Sequence, residues 1–151
     1  MLHRSIKTPC NGLCSTVYGD LVCRGCKRFH YEIISWNHYS EKEKQAIWSR
    51  LEDLLVQVIA SKLEVYDESR LRWQLELQSI RYPADLSAYC WAYQLLVKGS
   101  HSTQQLTACG IALLPEFQGL PLSALCNVVD RELLFLSYAY YKRYITPDFL
   151  Q

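Results

Sequence analysis

From Ile47 onward apolar residues recur three or four positions apart, through Leu51, Leu54, Leu55, Val58, Ile59 and Leu63, with Lys44, Glu52 and Lys62 on the opposite side. That period predicts a long amphipathic helix with one face in the core and the other in water. Its start is marked by Ser40-Glu41-Lys42-Glu43, a capping box in which the serine accepts from the third helical amide and the glutamate reaches back. Ahead of it, Phe29, Ile33 and Trp36 fall at helical spacing and predict a short helix over about 30–36.

Farther on the pattern is ambiguous. Leu71, Trp73, Leu75 and Leu77 alternate with Arg72, Gln74 and Glu76 like a half-buried strand, yet they are strong helix formers with apolar pairs four apart. With no other convincing strand to pair with, helix is the better reading, ended by Tyr82-Pro83. Asp85 or Ser87 can cap the next helix, which runs through Leu96 and is stopped by Gly99. A loop to Gln104 follows, then a short helix to Cys109 and a stretch over 110–115 that can be extended. Gly119-Leu120-Pro121 opens a final helix to about Ile145 with proline in its first turn. That helix is apolar almost all round: Leu122, Leu125, Val129, Leu133, Leu136, Tyr140 and Tyr144 lie on one face, and Phe135, Tyr138 and Tyr141 on another. Such a helix is expected either at the centre of the body or against a partner, another protein or a second copy. The fold class expected is mainly α, with a small Cys-rich metal knuckle at the N-terminus packed on a helical body. The division expected is a head with a helical hairpin over 1–51 and a helical body over 52–151.

The knuckle comes from the cysteines. Four of the seven, Cys10, Cys14, Cys23 and Cys26, form C-x3-C-x8-C-x2-C, with Gly12 and Gly25 inside the two arms as turn-compatible residues. The first nine residues read as a flexible lead-in that ends at Thr8-Pro9, where proline fixes an extended approach to Cys10, and Tyr18-Gly19-Asp20 is the turn of the spacer. Four thiolates on one centre suit a tetrahedral zinc or an iron-sulfur cluster, and spacing does not separate the two. Cys90, Cys109 and Cys126 sit in apolar or helical surroundings and read as buried thiols.

Net charge is +1 over 151 residues, but Arg4, Lys7, Arg24, Lys27 and Arg28 face only Asp20 within residues 1–30. Five cations against one anion leave that head at +4 and the rest at −3. Arg24, Lys27 and Arg28 flank the thiolates and are candidates to support them by charge and hydrogen bonding, or to form a solvated rim. Nucleic acid, with Tyr18, Phe29 or Tyr31 stacking on bases, is the weaker partner class because five cations make a modest footprint. No secretory h-region is visible, and the most apolar run, Leu133–Tyr141, is too short to span a bilayer. A cytoplasmic protein without membrane insertion is expected, and its odd cysteine count fits metal ligands better than disulfides. No nucleophile elbow, phosphate loop or dinucleotide glycine motif is present, and His30 is set aside because four cysteines already fill a tetrahedron. The expected function is therefore non-enzymatic.

The residues Thr8-Pro9-Cys10-Asn11-Gly12-Leu13-Cys14, Gly19, Cys23-Arg24-Gly25-Cys26-Lys27-Arg28, Glu32-Ile33-Ile34-Ser35-Trp36, Ser40-Glu41-Lys42-Glu43 and 47–51 occur in that order. Over about residues 8–51 the chain resembles the bacterial predicted iron-sulfur proteins of the YdhL type, domain-of-unknown-function family 1289. Phe29 and Tyr39 depart from residues common in that family, and neither is a ligand. The resemblance implies a Cys-rich knuckle on two helices with Cys10, Cys14, Cys23 and Cys26 as ligands, and it places an iron-sulfur cluster slightly ahead of zinc. The expectation is a small metal-binding accessory or adaptor. The alternatives are a structural zinc knuckle that binds RNA or protein, and an electron-transfer component of a redox enzyme.

Overall fold

The structure is a computed structural model, described here for residues 6–12, 14–99 and 103–145. The capping box forms as the pattern requires: Glu43 N donates to Ser40 Oγ and Ser40 N donates to Glu43 Oε1, both at 3.1 Å. With two first-turn amides satisfied, helix α2 runs Glu41–Ala60. Before it, α1 spans His30–Ile34, followed by a 3-10 turn at Trp36–His38.

The described residues fall into two compact units, Met1–Asp53 with Glu132–Gln151, and Leu54–Arg131. In the second unit the predicted stripe changes character at its end. Val58 and Ile59 are buried on α2, but Leu63 leaves the helix and opens strand β1, Leu63–Val65. β1 pairs antiparallel with β2, Ile111–Leu113, in the register Leu63 to Leu113 and Val65 to Ile111. The extended reading of 110–115 therefore holds, whereas β1 escaped the helical period because three residues are too few to show alternation. Lys62, expected in water, is buried at 6 % exposure, and its ammonium lies 5.2 Å from the Phe117 ring centroid. Gly110 bends the chain into β2 with φ +82°, and a Cβ there would collide with the Asp67 carbonyl. Its own carbonyl accepts from Tyr66 N and Asp67 N.

The ambiguous segment is helix α3, Glu68–Leu77, capped by Asp67, whose side chain accepts from Arg70 N. Only Leu71 and Leu75 are buried; Trp73 and Leu77 are exposed. Helix α4, Ala88–Lys98, is capped by Ser87 and ends at Gly99. It packs on α3 and β1, and Trp91 Nε1 donates to Pro83 O at 2.7 Å. Thr103–Cys109 is a 3-10 helix rather than an α-helix.

Helix α5 covers Leu122–Tyr140, just after Pro121, and continues as a π-helical turn over Tyr141–Ile145. Leu125 and Val129 are buried in the second unit; Leu133, Ser137 and Tyr141 are buried in the first. The row spaced by four goes inward, so Tyr141 is buried, whereas Tyr140 and Tyr144, read on the same face as Leu125 and Val129, are exposed with Phe135. In the first unit Val22, Phe29 and Tyr141 form an apolar cluster backed by Tyr31, Leu134, Tyr138 and Ile145. Among the described residues no helix is long and apolar enough to cross a membrane.

Candidate metal centre

The site starts from a hairpin. Val22 and Phe29 bridge antiparallel, Cys23 N donates to Arg28 O at 2.9 Å, and His30 N donates to Leu21 O at 2.8 Å. The two residues at its base, Val22 and Phe29, are 0 % and 1 % exposed, so the apolar cluster clamps the stem and projects Cys23-Arg24-Gly25-Cys26 as its tip. Lys27 N closes the tip onto Cys23 O at 2.9 Å. The left-handed residue of this arm is Lys27, at φ +67°, and not Gly25. The chain reverses after the second cysteine, and the Lys27 ammonium folds back on the carbonyls of Arg24 and Gly25, which offsets the strain of a non-glycine there. In the other arm Gly12 does take positive φ, +89°, as expected.

Cys23 and Cys26 are brought together. Burial pushes the Cys23 thiol up, but the backbone amides of Cys26, Ser15 and Gly25, with the Cys26 side chain, outweigh it and leave Cys23 below its ordinary value. Cys26 is held above its ordinary value by burial, opposed by Arg28, whose Nε donates to Cys26 Sγ at 3.2 Å. Ser15 links the arms: its amide serves Cys23, and its Oγ accepts from Arg24 N at 2.8 Å. The residue follows Cys14 directly, but nothing in its type announced this role.

Cys10 and Cys14 are engaged locally. Gly12 N donates to Cys10 Sγ at 3.4 Å, and Cys14 Sγ lies 3.3 Å from Thr16 Oγ1. Cys10 is exposed and Cys14 half-buried. Among the described residues no group of three or more His, Cys, Asp or Glu is arranged to hold a metal ion. Cys14 instead lines an apolar cleft of about 370 Å³ with Val17, Leu21, Ile33, Ile34 and His30. The spacer closes through a 3-10 turn, Ser15–Tyr18, with Gly19 at φ +98°. Residues 1–5 of the lead-in lie outside the described residues, and after them Lys7 O accepts from Trp48 Nε1 at 2.7 Å. The lone thiols Cys109 and Cys126 are pushed up by burial, which keeps them protonated and inert.

The flanking cations separate by role. Lys27 and Arg28 are 6 % and 3 % exposed and bond back to the Cys23–Cys26 hairpin, whereas Arg24 is exposed and pairs with Asp20 at 3.4 Å. Three of the five head cations are thus committed within the fold, and Arg4 lies outside the described residues. A free basic footprint for nucleic acid is correspondingly smaller. A node missing from the sequence reading braces the hairpin. Arg50 on α2 makes a bidentate pair with buried Glu32 at 2.6 and 2.7 Å, and its guanidinium stacks 4.2 Å from the Phe29 ring centroid. Glu32 Oε1 also accepts from Phe29 N at 2.8 Å, capping α1. The 18-residue separation of the pair leaves no local signal.

Residues 8–55 match the family described as "Protein of unknown function (DUF1289)". The matched segment holds Cys10, Cys14, Cys23 and Cys26, α1, the Glu32–Arg50 pair and most of α2, and it covers less than half of the chain. That description assigns neither activity nor cofactor. Neither the curated proteins nor the solved structures gave a match.

Proposed function

We propose that residues 8–55 form a cysteine-ligated metal knuckle and that the protein acts as a non-enzymatic accessory or adaptor. Cys10, Cys14, Cys23 and Cys26 would supply thiolates to one centre, an iron-sulfur cluster or zinc. The observation that carries this reading is the Cys23–Cys26 hairpin tip. There backbone amides already point at a sulfur, as they would at a bound thiolate, and two buried cations stand beside it. A divalent ion with four thiolates carries about −2, which Lys27 and Arg28 would offset. When bound, zinc would brace the knuckle and a cluster would add one-electron chemistry.

The chain's own residues do the rest. Ser15 and the amides of Gly25 and Cys26 orient Cys23, Arg28 orients Cys26, and Val22 with Phe29 keeps water from the stem. The test is anaerobic purification followed by metal and sulfide analysis with an absorption spectrum. A brown protein with inorganic sulfide is expected for a cluster, and a colourless one with one zinc per chain for a zinc knuckle. Cys23→Ser and Cys26→Ser should each lose most of the metal. Wild-type protein free of both metals, or unchanged loading in the serine variants, would sink the reading.

A further inference from the structure

We infer that Trp36 is a positioning residue for this centre, acting through Arg28 on the Cys26 sulfur; the inference rests on the metal-thiolate reading above. Arg28 is 3 % exposed, and a guanidinium cannot shed its charge, so it needs an anion or a comparable partner. Among the described residues no carboxylate stands within ion-pair distance of it. The nearest chain neighbour of the right charge, Glu32, is taken by Arg50. Arg28 instead has two side-chain partners. Its Nε donates to Cys26 Sγ at 3.2 Å, and its guanidinium carbon lies 5.0 Å from the centroid of the Trp36 ring.

Trp36 is 6 % exposed, so both contacts are largely removed from water, where a cation on an indole face gains most. Two partners fix the guanidinium more tightly than one. The sulfur receives the Nε–H, and the indole keeps the rest of the group from swinging out to solvent. Removing the ring leaves Arg28 free to leave Cys26. Lys44 Nζ lies 5.6 Å from the same centroid but sits on α2 and is partly exposed. It therefore serves as a control cation on the same ring. Acting through Arg28, Trp36 governs how firmly one ligand is oriented and neutralised.

The experiment is an anaerobic titration of the full reduced chain with Co²⁺ as the metal alone, followed by the thiolate-to-cobalt absorption and by chelator competition. Trp36→Leu and Arg28→Met should each weaken Co²⁺ affinity about tenfold or more, the usual scale for a group that orients a ligand. The double variant should be no weaker than Arg28→Met alone, because the ring acts through the guanidinium. Trp36→Phe should restore most of the affinity, and Lys44→Met should stay within about twofold of wild type. Wild-type affinity in Trp36→Leu overturns the inference, as does a double variant whose loss is the product of the two single losses. If Trp36→Leu does not fold, by far-ultraviolet circular dichroism, Trp36→Phe replaces it in the same cycle. A loss of about threefold that vanishes in the Arg28→Met background is then expected, and a loss that persists there overturns the inference. A wild-type chain without the thiolate-to-cobalt band removes the metal reading and this inference together, whereas a normal wild-type band with unmoved variants removes only this one.

Discussion

Lys27 occupies a backbone region that a glycine would enter without cost, and its side chain explains why lysine is tolerated: the ammonium spans the carbonyls of Arg24 and Gly25. Gly25, the residue that composition picks out, contributes an amide to Cys23 instead. Side-chain surroundings also set the titration of the hairpin's neighbours. Burial first, and then the charge of Glu32, pushes the Tyr31 phenol from 10.0 up to about 12. A raised folded-state value means that the folded chain keeps this proton after the unfolded chain has lost it. The stabilisation is thus full below pH 10 and is lost as pH rises toward 12. Tyr31→Phe should flatten the fall in stability measured by urea unfolding across that window; an unchanged slope would show that the phenol does not contribute.

At the scale of elements, α2 has a start written in sequence and a function that is not. Its capping box was legible because all its parts lie within four residues. Arg50, one more exposed-looking cation on the same helix, proves to hold α1 and the hairpin stem through Glu32 and Phe29. The Glu32 side chain is 5 % exposed, so Arg50→Met leaves a carboxylate buried without its partner. A loss of about 3–5 kcal/mol is expected by chemical denaturation, with Glu32→Gln/Arg50→Met recovering part of it. Additive single effects in that cycle would mean that the pair is not coupled. Strand β1 went unread for the converse reason. Three residues carry no period, and only the partner strand 46 or more positions away defines them.

Over the whole molecule, the described residues cluster into one unit that holds the Cys23–Cys26 hairpin and the C-terminal turns of α5, and a second that holds the β pair, α3 and α4. The second unit has a core of its own in Leu71, Leu75, Trp91, Leu95 and Leu106, each worth about 1.5–3 kcal/mol. Removal of the proposed metal should therefore act locally. With a chelator present, amides of Leu21–Phe29 are expected to lose hydrogen-exchange protection while those of α3 and α4 keep theirs. Equal loss in both sets would show that the centre supports the entire fold.

What the sequence determined by itself is what depends on near neighbours: the helical class, the capped start of α2, the stop at Gly99, the start of α5 at Pro121, the left-handed Gly12 and the four candidate ligands. Each follows from residue types within one or two turns of chain. Tertiary structure decided which of those residues meet. It joined Cys23 to Cys26 and to Ser15, and left Cys10 and Cys14 on local partners. It buried Lys27 and Arg28 while leaving Arg24 in water, and it set Trp36 against Arg28 and Arg50 against Glu32. Such pairings come from packing across separated segments, where burial makes a charge depend on its partner, and one-dimensional spacing carries no record of that distance.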